Sequence, residues 1–392
     1  MNPQAEVPEP GPDEAAHSAC LIERIRAEIE DSAGWISFAR YMDMALYSPG
    51  LGYYSAGAQK LGPAGDFVTA PEVAPVFSRC LATQCTEILQ ELGGGDLLEL
   101  GAGSGIMAAT MLEEFGQLGV RPARYRILDV SADLRQRQRA TLLDKVPEQV
   151  ESVEWLDAMP ESVSGVVIAN EVIDAMPVER FVIRGGRVNS LGVSWHFGRL
   201  DWAETRAGEL LEMAVRAIEE SVGETLPEGY TSEVNIGLEP WLTSLGRSIE
   251  RGVLLFVDYG LPRRAFYAPE RRTGTLLCHY RHRFHDDPFL NPGLQDITAW
   301  VDFTAVADAA EKAGLSLAGF TTQAHFLIGN DIEHYLSDVS QLELPQRLNL
   351  SRQAMVLTLP GEMGERFKVM ALAKEYDSPL RGFSVRDLRH TL

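Results

Sequence analysis

Basic side chains are the scarce class: 35 Lys and Arg stand against 56 Asp and Glu, a formal net charge of −21. A field of that sign repels phosphate backbones, and no long Lys/Arg cluster offsets it, so nucleic acid is excluded as the expected partner. Cysteine is scarcer still, with four residues. Cys20, Cys80, Cys85 and Cys278 form no C-x-x-C pair, which excludes the common zinc patterns and a disulfide framework and leaves free thiols in a reducing compartment as the expectation. No apolar run approaches the roughly 20 residues of a membrane-spanning helix. The first residues, MNPQAEVPEPGPDEAAHSA, are acidic, rich in proline and free of arginine, unlike a signal or transit peptide. They read as a disordered leader over 1–19, and a cytoplasmic location is expected.

Hydrophobic residues at 45% and charged residues at 23% of the 392 positions match an ordinary globular protein. The length allows one large domain with insertions or two smaller ones. Leu21, Ile22, Ile25 and Ile29 share one face of a predicted helix over Cys20–Asp31. The stretch Tyr47–Ala74 is too rich in Gly, Tyr and Pro for regular structure, and long loops inside compact domains are commonly functional. A helix over Pro75–Leu92 ends at the triple glycine Gly93–Gly95. The expected organisation is therefore the leader, an N-terminal helix and loop extension over 20–92, and a larger domain over 93–392.

Within that domain short apolar strands alternate with helices. Strands are predicted at Asp96–Leu100, Tyr125–Val130, Val153–Leu156, Gly165–Ala169 and Val253–Asp258, with helices around Ile106–Leu118 and Ala132–Leu143. Strands lacking in–out alternation and separated by helices imply a parallel sheet covered on both faces, a doubly wound α/β fold. Residues about 181–250 read as an insertion that opens with a hairpin turning at Gly185–Gly186. A second insertion, about 261–300, reads as a loop rich in Arg, His and Pro. The tail adds a helix at Val301–Ala313 and strands at Leu315–Thr321 and Phe367–Ala373.

The strongest local signal is LLELGAGSGIM, Leu97–Met107. A strand ends there in Glu99 and turns into a helix through Gly101, Gly103 and Gly105, which let a ligand approach the backbone. The dinucleotide fingerprint G-x-G-x-x-G is not met, because its last glycine falls on Ile106. Glu99 suits a ligand with an ammonium group, whereas it would repel a pyrophosphate. Asp129 ends the second strand, where a carboxylate can accept both hydroxyls of a ribose; capping the following helix is the plainer role. Leu156 and Asp157, ending the third strand, offer an apolar wall and a polar edge for an adenine. Asn170, Glu171 and Asp174 follow the fourth strand, at the edge where open α/β sheets gather ligands. Two carboxylates so close repel each other unless a cation or donor lies between them, the plainer role being a solvated turn. Asp258 and Tyr259 extend the same rim. His279, His282 and His285 are evenly spaced, but no known ligand spacing appears and no metal is expected.

Longer blocks then become informative: GDFVTAPEV (Gly65–Val73), LELGAGSG, ILDVSADLRQRQ, ANEVIDAMPVERF, VDYG and GTLLCHYRHRFHDDPFLNPGLQDITAWVDFT (Gly274–Thr304). Together they resemble the MidA-like family of S-adenosylmethionine-dependent methyltransferases, over about Ile36 to Lys374. That family includes the mitochondrial complex I assembly factor that symmetrically dimethylates an arginine of a core subunit. This chain departs from the pattern at Ala102, where proline is frequent, at Ala70, where serine is, and at Asp129, where glutamate is. The resemblance implies a Rossmann-like class I methyltransferase fold, S-adenosyl-L-methionine as cofactor, and protein-arginine methylation by a bacterial relative. Glu171 and Asp174 become the candidate catalytic residues. Asp66, Thr69, Glu72, Glu99, Gly101, Gly103, Gly105, Asp129, Leu156, Asp157 and Asn170 become candidates for cofactor binding. The expected partner is a protein bearing the target arginine, with a homodimer allowed for. A non-catalytic assembly chaperone, a small-molecule methyltransferase and an NAD oxidoreductase are the rival readings.

Overall fold

The computed structural model describes residues 8–56, 69–337 and 343–392. The chain divides into two compact units. The larger comprises Val68–Ile173, Glu239–Gly260 and Thr304–Leu392, and the smaller Met1–Phe67, Asp174–Leu238 and Leu261–Phe303.

In the larger unit the apolar runs become the strands β1 (Asp96–Leu100), β2 (Tyr125–Leu128), β3 (Val153–Leu156), β4 (Val163–Asn170), β5 (Ile249–Leu261), β6 (Ser316–Thr322) and β7 (Phe367–Lys374). They pair in the order β6-β7-β5-β4-β1-β2-β3. β1 is parallel to both β2 and β4, β2 to β3, and β4 to β5. This is a doubly wound α/β sheet whose order reverses at β1 and β4, which places a ligand crevice at their carboxyl ends. β7 departs from the all-parallel expectation: it lies between β5 and β6 and runs antiparallel to both. Six of its eight residues are buried without alternation, and a strand covered on both faces leaves no trace of its direction in the hydrophobic pattern.

Helix Pro75–Leu92 forms over the expected span and ends at Gly93, in the left-handed conformation. It packs against helix Ile106–Leu118, and Phe77, Leu81, Cys85 and Ile88 join Met111 and Phe115 in one core with the sheet. At the other end of the strands, Asp96, Gly165 and Gly252 stand in register across β1, β4 and β5. Gly165 has φ +145°, and a Cβ there would lie 2.0 Å from the Asp96 carbonyl oxygen; a Cβ on Gly252 would lie 1.9 Å from that of Gly165. Only glycine satisfies both the angle and the approach.

The smaller unit is antiparallel. Four strands pair in the order Arg199–Arg206, Arg187–His196, Glu179–Arg184, Thr231–Val234, the first hairpin turning at Gly185–Gly186 as the sequence predicts. Helices Pro12–Asp31 and Phe38–Tyr47 pack on this sheet, burying Leu21, Ile25, Phe38, Tyr41 and Met42 with Val193 and Ile297. Two expectations are corrected here. The N-terminal helix starts at Pro12 rather than Cys20, so the leader expected over 1–19 is helical in its second part. Its early turns are held by polar contacts invisible to hydrophobic periodicity. The Gly11 N–H donates to Glu14, the Ser18 hydroxyl donates to the Pro292 carbonyl at 2.9 Å, and Arg281 pairs with Glu14. The region expected as a loop over 261–300 holds a three-stranded sheet, with Leu277–Tyr280 between Arg283–His285 and Asp296–Thr298. Its charged residues hid a two-residue hairpin turn, in which Arg281 and His282 both have positive φ.

The glycine register predicts that Gly165→Ala destabilises the protein by about 2–4 kcal/mol, because overpacking and a disfavoured φ act together. Urea unfolding checks this: the midpoint should fall with the slope unchanged.

Candidate active site

The site is built at the carboxyl ends of β1 to β4, from the turn after β1. Gly101, Gly103 and Gly105 all have positive φ there. At Gly105 a Cβ would also lie 2.9 Å from Cα of Gln138, so the third glycine lets helix Ala132–Lys145 close on the turn. Gln138 is fully buried. Its Nε2 donates to the Gly103 carbonyl at 3.1 Å and to Asp129 Oδ2 at 2.8 Å, and its Oε1 accepts from the Trp155 indole at 3.0 Å. One side-chain amide therefore joins the ends of β1, β2 and β3. Arg135, one turn earlier, donates to the carbonyls of Asp129 at 2.7 Å and Leu156 at 2.6 Å and pairs with Asp157. Sequence reasoning missed both residues. Their signal is the i, i+3 spacing of two hydrogen-bonding side chains on the helix that follows the second strand.

Glu99 lies within β1 and is 1% exposed. Tyr125 donates its hydroxyl to Oε2 at 2.6 Å, while Oε1 is buried without a hydrogen-bond partner. Burial pushes its carboxyl up to about 7; the Tyr125 hydrogen bond opposes the rise and the neighbouring Asp129 adds to it. A half-satisfied buried carboxyl is unfavourable alone and gains from a cation.

Asp129, also buried, accepts the Ser131 N–H on Oδ1 at 2.9 Å. The helix cap is Ser131 rather than Asp129, since the Ser131 hydroxyl accepts the Leu134 N–H. Leu156 is half-buried and Asp157 is exposed. Glu72, in the short helix Ala70–Val73, accepts a hydrogen bond from the Ser104 hydroxyl inside the glycine turn. The Thr69 carbonyl accepts the N–H groups of Glu72 and Val73 that begin that helix, each at 3.0 Å. Asp66 lies outside the described residues.

After β4 the chain adopts an unusual conformation. Glu171 has φ +53°, a left-handed region that non-glycine residues occupy infrequently. Two bonds to β5 impose it: the Glu171 N–H donates to the Val257 carbonyl at 2.8 Å, and the Ile173 N–H donates to the buried Asp258 carboxylate at 3.0 Å. Asn170 Nδ2 donates to Glu171 Oε1 at 3.2 Å, and Asn170 Oδ1 is buried without a partner. The larger unit thus brings together Glu99, the glycine turn, Glu72, Asp129, Asp157, Asn170 and Glu171. Asp174 begins the smaller unit, 5% exposed, its carbonyl accepting the Ala299 N–H at 3.0 Å. No group of three or more metal-binding side chains occurs among the described residues.

Known proteins sharpen this picture. The sequence profile of a family described as S-adenosyl-L-methionine-dependent methyltransferases matches residues 80–321. The mitochondrial Protein arginine methyltransferase NDUFAF7 homolog of Drosophila melanogaster is 27% identical over 424 residues, covering 98% of this chain and 93% of its own. Protein arginine methyltransferase NDUFAF7 of Mus musculus is 30% identical over 376 residues, 87% of this chain and 81% of its own. A crystal structure of a COG1565 superfamily member from Burkholderia thailandensis bound to S-adenosyl-homocysteine superposes with a TM-score of 0.93. The identity there is 40%, over 99% of this chain and 100% of the other. Fold and site together define an S-adenosylmethionine-dependent methyltransferase. Within that class the chain belongs to the MidA-like family.

S-adenosylmethionine is the cofactor, and the residues present fit it. The molecule carries a sulfonium and an ammonium, and the partnerless Oε1 of Glu99 offers complementary charge beside the open glycine turn. Because Gln138 joins three strand ends, Gln138→Leu should lower stability by about 1–3 kcal/mol by leaving buried partners unsatisfied. It should also weaken S-adenosylhomocysteine binding at least about tenfold, as the turn loses its support. Denaturant titration and calorimetry measure the two effects.

Proposed function

We propose that the protein is a protein-arginine N-methyltransferase whose acceptor is an arginine of a protein partner, a respiratory complex I subunit being the kind of target the family resemblance implies. Two observations support arginine. The relatives from Drosophila and mouse carry that activity in their names. The segment after β4 holds a carboxylate, Glu171, in a left-handed backbone conformation that β5 enforces, with Asp174 three residues on. The strained Glu171 backbone, at the carboxyl end of β4 where the sheet's ligand crevice lies, is the observation on which the reading rests, because backbone outliers cluster at active sites.

Bound S-adenosylmethionine supplies a methyl group already activated on a sulfonium sulfur. The chain's own work is then positioning and electrostatics. In the proposed arrangement Glu99 takes the ammonium of the methionine moiety, and Asp129 takes the ribose hydroxyls. Leu156 and Asp157 would border the adenine, and Thr69 and Glu72 would border the methionine end. Glu171 and Asp174 hold the outer nitrogens of the guanidinium as charge-assisted pairs. A guanidinium is planar and delocalised, so drawing its charge toward two carboxylates returns electron density to the attacking nitrogen. That nitrogen forms the new N–CH3 bond as the S–CH3 bond breaks, the bonding pair remaining on sulfur. One N–H proton is released, and a carboxylate of this pair receives it.

The test uses methyl-labelled S-adenosylmethionine and a pool of hypomethylated bacterial protein as acceptor. Glu171→Gln should reduce formation of labelled methylarginine about a hundredfold or more, by loss of charge stabilisation and of a proton acceptor. Its affinity for S-adenosylhomocysteine should stay within about twofold of wild type. Wild-type methylarginine formation by Glu171→Gln would remove the assignment.

A further inference from the structure

The Gly/Tyr-rich stretch after helix Phe38–Tyr47 and the block GLQDITAW meet in the smaller unit, and neither is used by the reaction as set out above. The first folds back on the helix it follows. The N–H groups of Tyr53 and Tyr54 donate to the carbonyls of Ala45 and Leu46 at 2.9 and 2.8 Å, satisfying the open carbonyl end of the helix. Gly52 allows this reversal, since a Cβ there would lie 2.5 Å from the Ser48 nitrogen. The result is a fixed place for Tyr54. Its ring stacks on Tyr47, with centroids 5.5 Å apart and planes 20° apart. Its hydroxyl donates to both carboxylate oxygens of Asp296, each at 3.0 Å, and Asp296 is 2% exposed.

From this pair two ties run to Asp174 and its neighbour. Tyr47, the stacking partner, donates its hydroxyl to the Ala175 carbonyl at 2.9 Å. Ala299, three residues after Asp296 along the same chain segment, donates its N–H to the Asp174 carbonyl at 3.0 Å. The peptide carbonyls on either side of the Asp174–Ala175 bond are thus held from two sequence blocks, and the Tyr54–Asp296 hydrogen bonds lock those blocks together. Burial, with Asp296, Tyr47, Asp174 and Tyr53 around it, keeps the Tyr54 phenol well above its usual pKa, so it remains a hydroxyl donor.

We infer that Tyr54 and Asp296 are positioning residues for methyl transfer, which through the Tyr47–Ala175 and Ala299–Asp174 hydrogen bonds fix the backbone that carries the Asp174 carboxylate. The inference rests on the reading of Asp174 as an acceptor-side residue. Small displacements of an orienting group are enough to slow a reaction strongly.

The experiment measures methylarginine formation on pooled hypomethylated bacterial protein, over S-adenosylmethionine concentrations up to saturation, for wild type, Tyr54→Phe, Asp296→Asn, Asp296→Leu and Asp174→Asn. Tyr54→Phe keeps the stacked ring and loses only the hydroxyl. Its rate should fall about tenfold or more while the KM for S-adenosylmethionine stays within about twofold of wild type. Asp296→Asn, which keeps one acceptor oxygen, should retain more activity than Asp296→Leu. A wild-type rate for Tyr54→Phe beside an impaired Asp174→Asn overturns the inference alone. So does a KM for S-adenosylmethionine that rises in step with the loss of rate, which marks a general loss of structure. A wild-type rate for Asp174→Asn removes the underlying reading of Asp174, and the inference with it.

Discussion

A carboxyl group buried beneath a glycine turn is the constraint around which the larger unit is organised. Glu99 has one oxygen held by Tyr125 and the other without a partner, and burial lifts it toward neutrality. An arrangement of that kind is a net cost to folding unless a cation completes it. The surroundings are correspondingly stiff. Gln138 spans the ends of three strands, Arg135 bridges two of them, and Gly105 lets the intervening helix close against the turn. Backbone geometry, side-chain amides and the strand order all serve one short turn. This is the preorganisation expected where a catalyst has little covalent chemistry of its own to perform.

The chain after β4 depends on a different device. The chain after β4 is bent through a strained Glu171 by two hydrogen bonds to β5, and the smaller unit then takes hold of Asp174 through Ala299 and of Ala175 through Tyr47. The backbone at Glu171 and Asp174 is fixed by these ties, and the cost of ordering it is met during folding.

Much of this architecture is legible in the amino-acid sequence, for identifiable reasons. β1, β3 and the helices Pro75–Leu92 and Ile106–Leu118 fall where the apolar runs and glycine stops place them, because each is bounded by a strong turn signal. The glycine turn and the acidic residues at the strand ends are local features and could be read directly. Gln138 and Arg135 were not, since an amide or a guanidinium on a helix reads as solvent-exposed until the strand ends it bridges are known. The start of the first helix escaped notice because Glu14 and Ser18 are anchored by partners distant in sequence or by a single capping bond. The direction of β7 left no mark, since full burial erases the alternation that distinguishes the two faces of a strand. The hairpin at Arg281–His282 was hidden by residues that rarely occupy its turn.

The pairing proposed between Glu99 and the ammonium of S-adenosylmethionine has a direct thermodynamic signature. With its carboxyl near 7 before binding, Glu99 is largely protonated at pH 6.5, and a cation on the partnerless oxygen lowers its pKa. Binding must then expel protons. Calorimetric titration with S-adenosylmethionine at pH 6.5, in buffers of different ionisation enthalpy, counts them. About half a proton or more should be released per molecule bound by wild type, and close to none by Glu99→Gln. Release unchanged in Glu99→Gln, or absent from wild type, would contradict the account.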